Sequence, residues 1–157
     1  MGIYSVVGNK TFFGEELRVK GEVDVKKLYK SLIPWFSENG YNFSEKGITS
    51  SDKPEGQEQV LEWEAYKKID DYFKLHIDVD IRTWRWLNKR AEIYVRFKGY
   101  VETDYKRKFK GKLGDVLRKV YEDLIIKDKI SKTRGKVKDE TDELIAEAKK
   151  VLSLINK

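Results

Sequence analysis

Cysteine is absent from this chain, which removes a disulfide framework, a thiolate metal site and a cysteine nucleophile together. Histidine is reduced to His76 and methionine to one residue, so imidazole chemistry rests on a single side chain. No apolar run approaches the ~18 residues needed to span a bilayer, and the N-terminus lacks a long apolar signal segment. These absences point to a soluble protein of the cytoplasm. No serine sits in an elbow motif, and there is neither a phosphate loop nor a dinucleotide fingerprint. The sequence gives no cofactor and no catalytic residue, and it favours a non-enzymatic role. Asp70-Asp71 reads as turn chemistry rather than an acid–base pair.

What is present is order of a specific kind. Phe73–Thr83 places Phe73, Leu75, Ile77, Val79 and Ile81 on one parity and Lys74, His76, Asp78, Asp80 and Arg82 on the other. Ala91–Thr103 repeats the pattern, with Ala91, Ile93, Val95, Phe97 and Val101 against Glu92, Tyr94, Arg96, Lys98, Tyr100 and Glu102. A period of two means strands with one buried and one polar face. Aromatic residues make up 13% of the chain, enough with this alternation to specify a packed core rather than disorder. One methionine beside abundant Lys and Glu matches the composition of thermophilic proteins.

At 157 residues the chain reads as one domain, 1–157. Residues 1–12 are expected to be loosely ordered. Glu15–Val23 reads as a first strand, and Asp24 can cap a helix over Val25–Glu38 carrying Val25, Leu28, Tyr29, Leu32 and Phe36 at helical spacing. Pro34 is expected to kink or shorten it. Tyr41 and Phe43 open a short strand, and Thr49–Gln59, with Ser-Ser-Asp-Lys-Pro-Glu-Gly, reads as a loop. Leu61, Trp63 and Ala65 mark a third strand, followed by the two long ones as consecutive antiparallel hairpins. Leu113, Val116, Leu117, Val120 and Leu124 then take helical spacing. A basic loop over 127–138 and a final helix with Leu144, Ala148, Val151 and Ile155 complete the chain.

The order β-α-β-β-β-β-α-α predicts a two-layer α+β sandwich, a mainly antiparallel sheet of about five strands with all the helices on one face. This order is similar to that of helix-grip folds, whose curved sheet wraps a C-terminal helix around a cavity for a small apolar ligand. The likeness is one of topology alone. Glu16-Leu17-Arg18-Val19-Lys20 stands nearest to the alternating glutamates and lysine of the CYTH-like triphosphate tunnel enzymes. Arg18 occupies the place of their second glutamate, and the chain is not assigned to that family.

Four groups of residues are candidates for function. The charge is +6 overall, but thirteen Lys/Arg face five acids between Asp104 and Lys138, leaving +8 there and −2 elsewhere. Lys106, Arg107, Lys108, Lys110 and Lys112, with Lys132, Arg134, Lys136 and Lys138, could therefore bind nucleic acid or another polyanion. Trp84-Arg85-Trp86 at a hairpin tip suits a protein interface, since Trp and Arg are common hot spots. The final helix, with its four-three-four spacing, could pair with a second copy as a homodimer. On the polar sheet face, His76, Asp78 and Asp80 are weak metal candidates, because alternate residues along a strand lie ~6.6–6.8 Å apart. The alternative for these charges is cross-strand pairing, with Asp78 opposite Arg96 and Arg82 opposite Glu92, worth roughly 0.2–1 kcal/mol each. Partner binding, to a protein or to itself, is the leading expectation, ahead of nucleic acid and of an apolar ligand.

Overall fold

The computed structural model describes residues 3–7 and 10–153. The long alternating segments are strands, as the period of two requires. In chain order the elements are β1 (Ile3–Val7), β2 (Lys10–Phe13), β3 (Glu16–Glu22), α1 (Val25–Glu38), β4 (Asn42–Lys53), β5 (Gly56–Lys68), β6 (Phe73–Leu87), β7 (Arg90–Thr103), α2 (Gly111–Val120), a π-helical turn (Tyr121–Ile125) and α3 (Lys127–Val151). All neighbouring strands are antiparallel in a single sheet ordered β1-β2-β7-β6-β5-β4, and β3 also lies on β7. The molecule is an α+β fold.

One face of the sheet carries the core. Leu75, Ile77, Val79 and Ile81 of β6 and Val95 and Phe97 of β7 are completely buried. Leu28, Leu32 and Phe36 of α1 and Val137, Leu144 and Ala148 of α3 meet them on that face and are equally buried. Each element thus hides one stripe and leaves its opposite parity to water. Contact is tightest where α3 crosses β7. A Cβ placed on Gly99 would stand 2.1 Å from Thr141 Oγ1, so only glycine permits this approach. Lys67 ties three elements together: it pairs with Glu140 of α3 at 2.6 Å, donates to the Asn39 carbonyl at 3.0 Å and lies over the Tyr41 ring.

The fold departs from the sequence expectations at several places. The sheet has seven strands rather than about five. Of residues 1–12, those that are described form β1 and most of β2; the remainder fall outside the described residues. Thr49–Gln59 is not a loop but the end of a long hairpin, in which Thr49 pairs with Val60 and Lys53 with Gly56 around a turn at Pro54-Glu55. Backbone pairing with a strand on either side of β5 supplies order that polar, exposed side chains do not advertise. Pro34 does not end α1 early, and the helix continues to Glu38.

Residues 127–138 form the first half of α3 rather than a basic loop. Ile130, Thr133, Val137 and Thr141 are buried at intervals of three and four, so lysines alternate with a narrow anchoring stripe that helical geometry accommodates. Ile155, assigned by spacing to the last helix, lies outside the described residues. α2 differs from expectation as well. Its stripe does not cover the sheet, and Gly114 alone is buried in this helix.

Candidate binding face

With α1 and α3 on one side, the other side of the central sheet carries the polar parity of its strands, largely half-buried along β6 and β7. Its composition follows from register. β6 pairs with β7 so that Lys74 faces Glu102, His76 faces Tyr100, Asp78 faces Lys98, Asp80 faces Arg96 and Arg82 faces Tyr94. This corrects the expected Asp78–Arg96 and Arg82–Glu92 pairing by two residues. The cause is local: the hairpin turns tightly at Asn88-Lys89, and a bulge between Trp84 and Leu87 inserts an unpaired residue. Asn88 and Arg85 both adopt positive φ, at 58° and 49°. Bulges re-aim the side chains that follow them.

That bulge separates the two tryptophans. Trp84 stays on the polar face, across from Glu92, while Trp86 packs against the core near Val25 and Gln57. Arg85 pairs with Glu92 at 3.0 Å. The Trp84-Arg85-Trp86 triplet therefore presents one tryptophan to each side.

Across the face, β5 adds Glu62 opposite Asp80 and Glu64 opposite Asp78. β3 adds Arg18 opposite Tyr94 and Glu16 opposite Arg96. Arg18, Arg82 and Arg96 consequently surround Tyr94, and together with Trp84, Val60, Glu62 and Asp80 they line a shallow cleft of about 490 Å³. Arg96 is ion-paired with Asp80. Arg18 lies over the Tyr94 ring, 4.7 Å from its centre. Arg82 is exposed.

His76 is stacked on Tyr100 with ring centres 4.7 Å apart, and its Nε2 is 2.7 Å from Glu102. Asp80 is engaged by Arg96 instead. Among the described residues no cluster of three or more metal-ligating side chains is assembled.

Asp78 is the most strained charge on this face. Burial, reinforced by Glu64 across the strand pair and by Asp80, raises its carboxyl to about 6, against the opposing pull of Lys98 and Arg96. The folded protein then holds a proton there that the unfolded chain releases near 3.8. Between these values the folded state binds more protons, so this residue contributes less stability as pH rises and opposes folding above pH 6. Asp78→Asn is expected to gain about 1–2 kcal/mol over the wild type at pH 8, allowing for solvent screening, and to lose that gain below pH ~4. Urea unfolding of both proteins across this range checks it; a gain independent of pH would refute the assignment.

The basic candidates are distributed. Lys106 pairs with Asp71, and Lys129 pairs with Asp70 at the β5–β6 turn. Lys138 pairs with Asp142. Asp104, buried, accepts from the Lys108 and Phe109 amides and so shapes the loop carrying Lys106–Lys112. Lys108, Lys110, Lys112, Lys132 and Lys136 are exposed, as is Arg107. Arg134 lines a groove between α2 and α3 with Asp115, Glu122 and Asp123 as well as Arg118 and Lys119, so the helices mix both signs of charge there.

Sequence reading did not assemble Arg18, Tyr94 and Arg82 into one cleft. Each lies on the polar parity of its strand, but Arg18 joins the others only through the β3–β7 pairing, which links residues far apart in the chain. No described helix is long and apolar enough to cross a membrane.

No protein family matches this chain, and no curated protein is similar to it. Among solved structures, a protein of unknown function from Staphylococcus aureus is similar over 93% of this chain and 96% of its own, at 10% identity and a TM-score of 0.30.

Proposed function

We propose that this protein is a non-enzymatic binding module whose polar sheet face receives an acidic segment of a partner protein. The observation that supports this reading is the cleft where Arg18, Arg82 and Arg96 converge around Tyr94 and beside Trp84. Guanidinium groups offer forked donors to carboxylates, and the two aromatic rings supply the rigid area that interface hot spots use. Asp80 occupies Arg96, leaving Arg82 and the outer edge of Arg18 as the groups to which an incoming carboxylate binds. Glu62 and Asp80 on the same floor favour segments that space their acids over the arginines and reject uniformly acidic chains.

The test is selection from a displayed peptide library followed by fluorescence titration of the winning peptides. Acidic peptides containing an apolar or aromatic residue are expected, with affinity falling about 10–100-fold in the Arg18→Ala/Arg82→Ala protein. Peptides selected without acidic residues, or binding unchanged in that variant, would overturn the reading.

A further inference from the structure

The exposed aliphatic residues concentrate on another element. α2 and the π turn expose Leu113 (73%), Val116 (59%), Leu117 (51%), Val120 (46%), Leu124 (78%) and Ile125 (68%). Five of these fall on one helical face, the spacing expected for a core helix, yet α2 approaches Phe109 of its own preceding loop and has no extensive contact with a described strand. The contact that holds it is narrow. A Cβ on Gly114 would stand 2.7 Å from the Phe109 carbonyl carbon, so the helix sits against its own preceding loop through its smallest residue. Tyr121 rests on Phe109 and Tyr72, and Glu122 accepts from the Tyr72 hydroxyl. These contacts anchor the inner side and leave the aliphatic stripe outward. Contiguous exposed aliphatic residues of this extent mark an interaction surface.

We infer that this stripe is a self-complementary interface through which two copies of the chain dimerise about a two-fold axis. Leu113, Leu117, Val120 and Leu124 are spaced four, three and four residues apart, a pattern that reads the same in both directions. Two such helices laid antiparallel, with the axis between Arg118 and Lys119, bring Leu113 onto the second copy's Leu124 and Leu117 onto its Val120. An isologous contact needs a patch complementary to its own reverse, and this one is. Charges of both signs flank the stripe, Lys112 at one end and Asp123, which also lines the groove toward α3, at the other. The antiparallel arrangement places each Lys112 beside the Asp123 of the other copy. An anionic lipid surface would instead favour a border of lysines alone. The inference is independent of the acidic-segment reading, because α2 shares no residue with the sheet face.

Sedimentation equilibrium of the full chain, from micromolar to millimolar concentration, tests it. The wild type is expected to dimerise, and Leu117→Asp to weaken association at least about 100-fold. Leu117 is exposed, so circular dichroism should report an unchanged fold. Lys112→Glu is expected to weaken the dimer, and adding Asp123→Lys to restore it. A monomer at every concentration, or a dimer indifferent to Leu117→Asp, would overturn the inference. So would a monomer that co-sediments with phosphatidylserine vesicles through Leu117, which would assign the stripe to a lipid surface.

Discussion

Gly14→Ala is expected to destabilise the protein by about 3 kcal/mol or more, placing it among the costliest single substitutions in the chain. Gly14 joins β2 to β3, and both strands lie along the same edge of β7: Phe13 is opposite Gly99 and Glu16 opposite Arg96. Between these two contacts the chain passes directly over Phe97. Its φ is +153°, and a Cβ there would lie 1.9 Å from the Phe97 carbonyl oxygen and 2.7 Å from its carbon. The obstacle is backbone of a central strand, with no rotamer to yield. Relief requires lifting β2 or β3 off β7, which breaks ladder bonds, including the Phe97 amide to the Glu15 carbonyl at 3.1 Å. Gly21→Ala is the control. That residue also has positive φ, +126°, but nothing lies within 4 Å of its Cβ position, so only conformational strain of about 1 kcal/mol remains. Urea midpoints of the two variants should separate clearly. Equal midpoints would show that β7 does not clamp Gly14.

The second large effect is at Trp63, where alanine should cost about 3–5 kcal/mol. Trp63 is 1% exposed and forms the hub of an aromatic group, with ring centres 5.4 Å from Phe43, 5.9 Å from Tyr29 and 6.4 Å from Phe36. It thereby joins β5, β4 and α1. Its Nε1 has no hydrogen-bond partner among the described residues, and a buried unmade donor carries a penalty of about 1–3 kcal/mol. Trp63→Phe removes that penalty along with part of the ring. Its cost should therefore fall well below that of Trp63→Ala, under about 1.5 kcal/mol. Thermal and urea unfolding of both variants measure the difference. A phenylalanine variant as unstable as the alanine one would mean that the indole N–H is satisfied.

How far these features are legible in the chain depends on whether their cause is local. β6 and β7 are unmistakable because burial on one face writes itself into alternate residues. α1 begins where Asp24 can accept the Lys27 amide, and the structure has that bond at 3.0 Å. The hairpin from Ser50 to Gln59 left no such mark: both its faces are largely polar or exposed, so alternation has nothing to encode. Register is not legible because the turn at Asn88-Lys89 and the irregularity between Trp84 and Leu87 set it, rather than charge pairing. The fold class was readable and the cleft was not, since Arg18 meets Arg82 only through β7. α2 shows the opposite failure. Its stripe was read correctly as a stripe, but periodicity says that a face is apolar and not what covers it.

The two sides of the sheet differ in one further respect. β7 is flanked by β3 and β2, but β4, twelve residues long, pairs only with β5 among the described strands and turns its other edge outward. An open edge of that length is a template on which other chains can crystallise into fibrils. Here it is blunted by what first made the segment look like a loop: serines, Asp52, Lys46 and Lys53, and an irregularity between Glu45 and Gly47 that interrupts the ladder. Ile48 is the one large aliphatic side chain it exposes. The polar hairpin end that hides a strand in the sequence is also what makes this open edge a poor template.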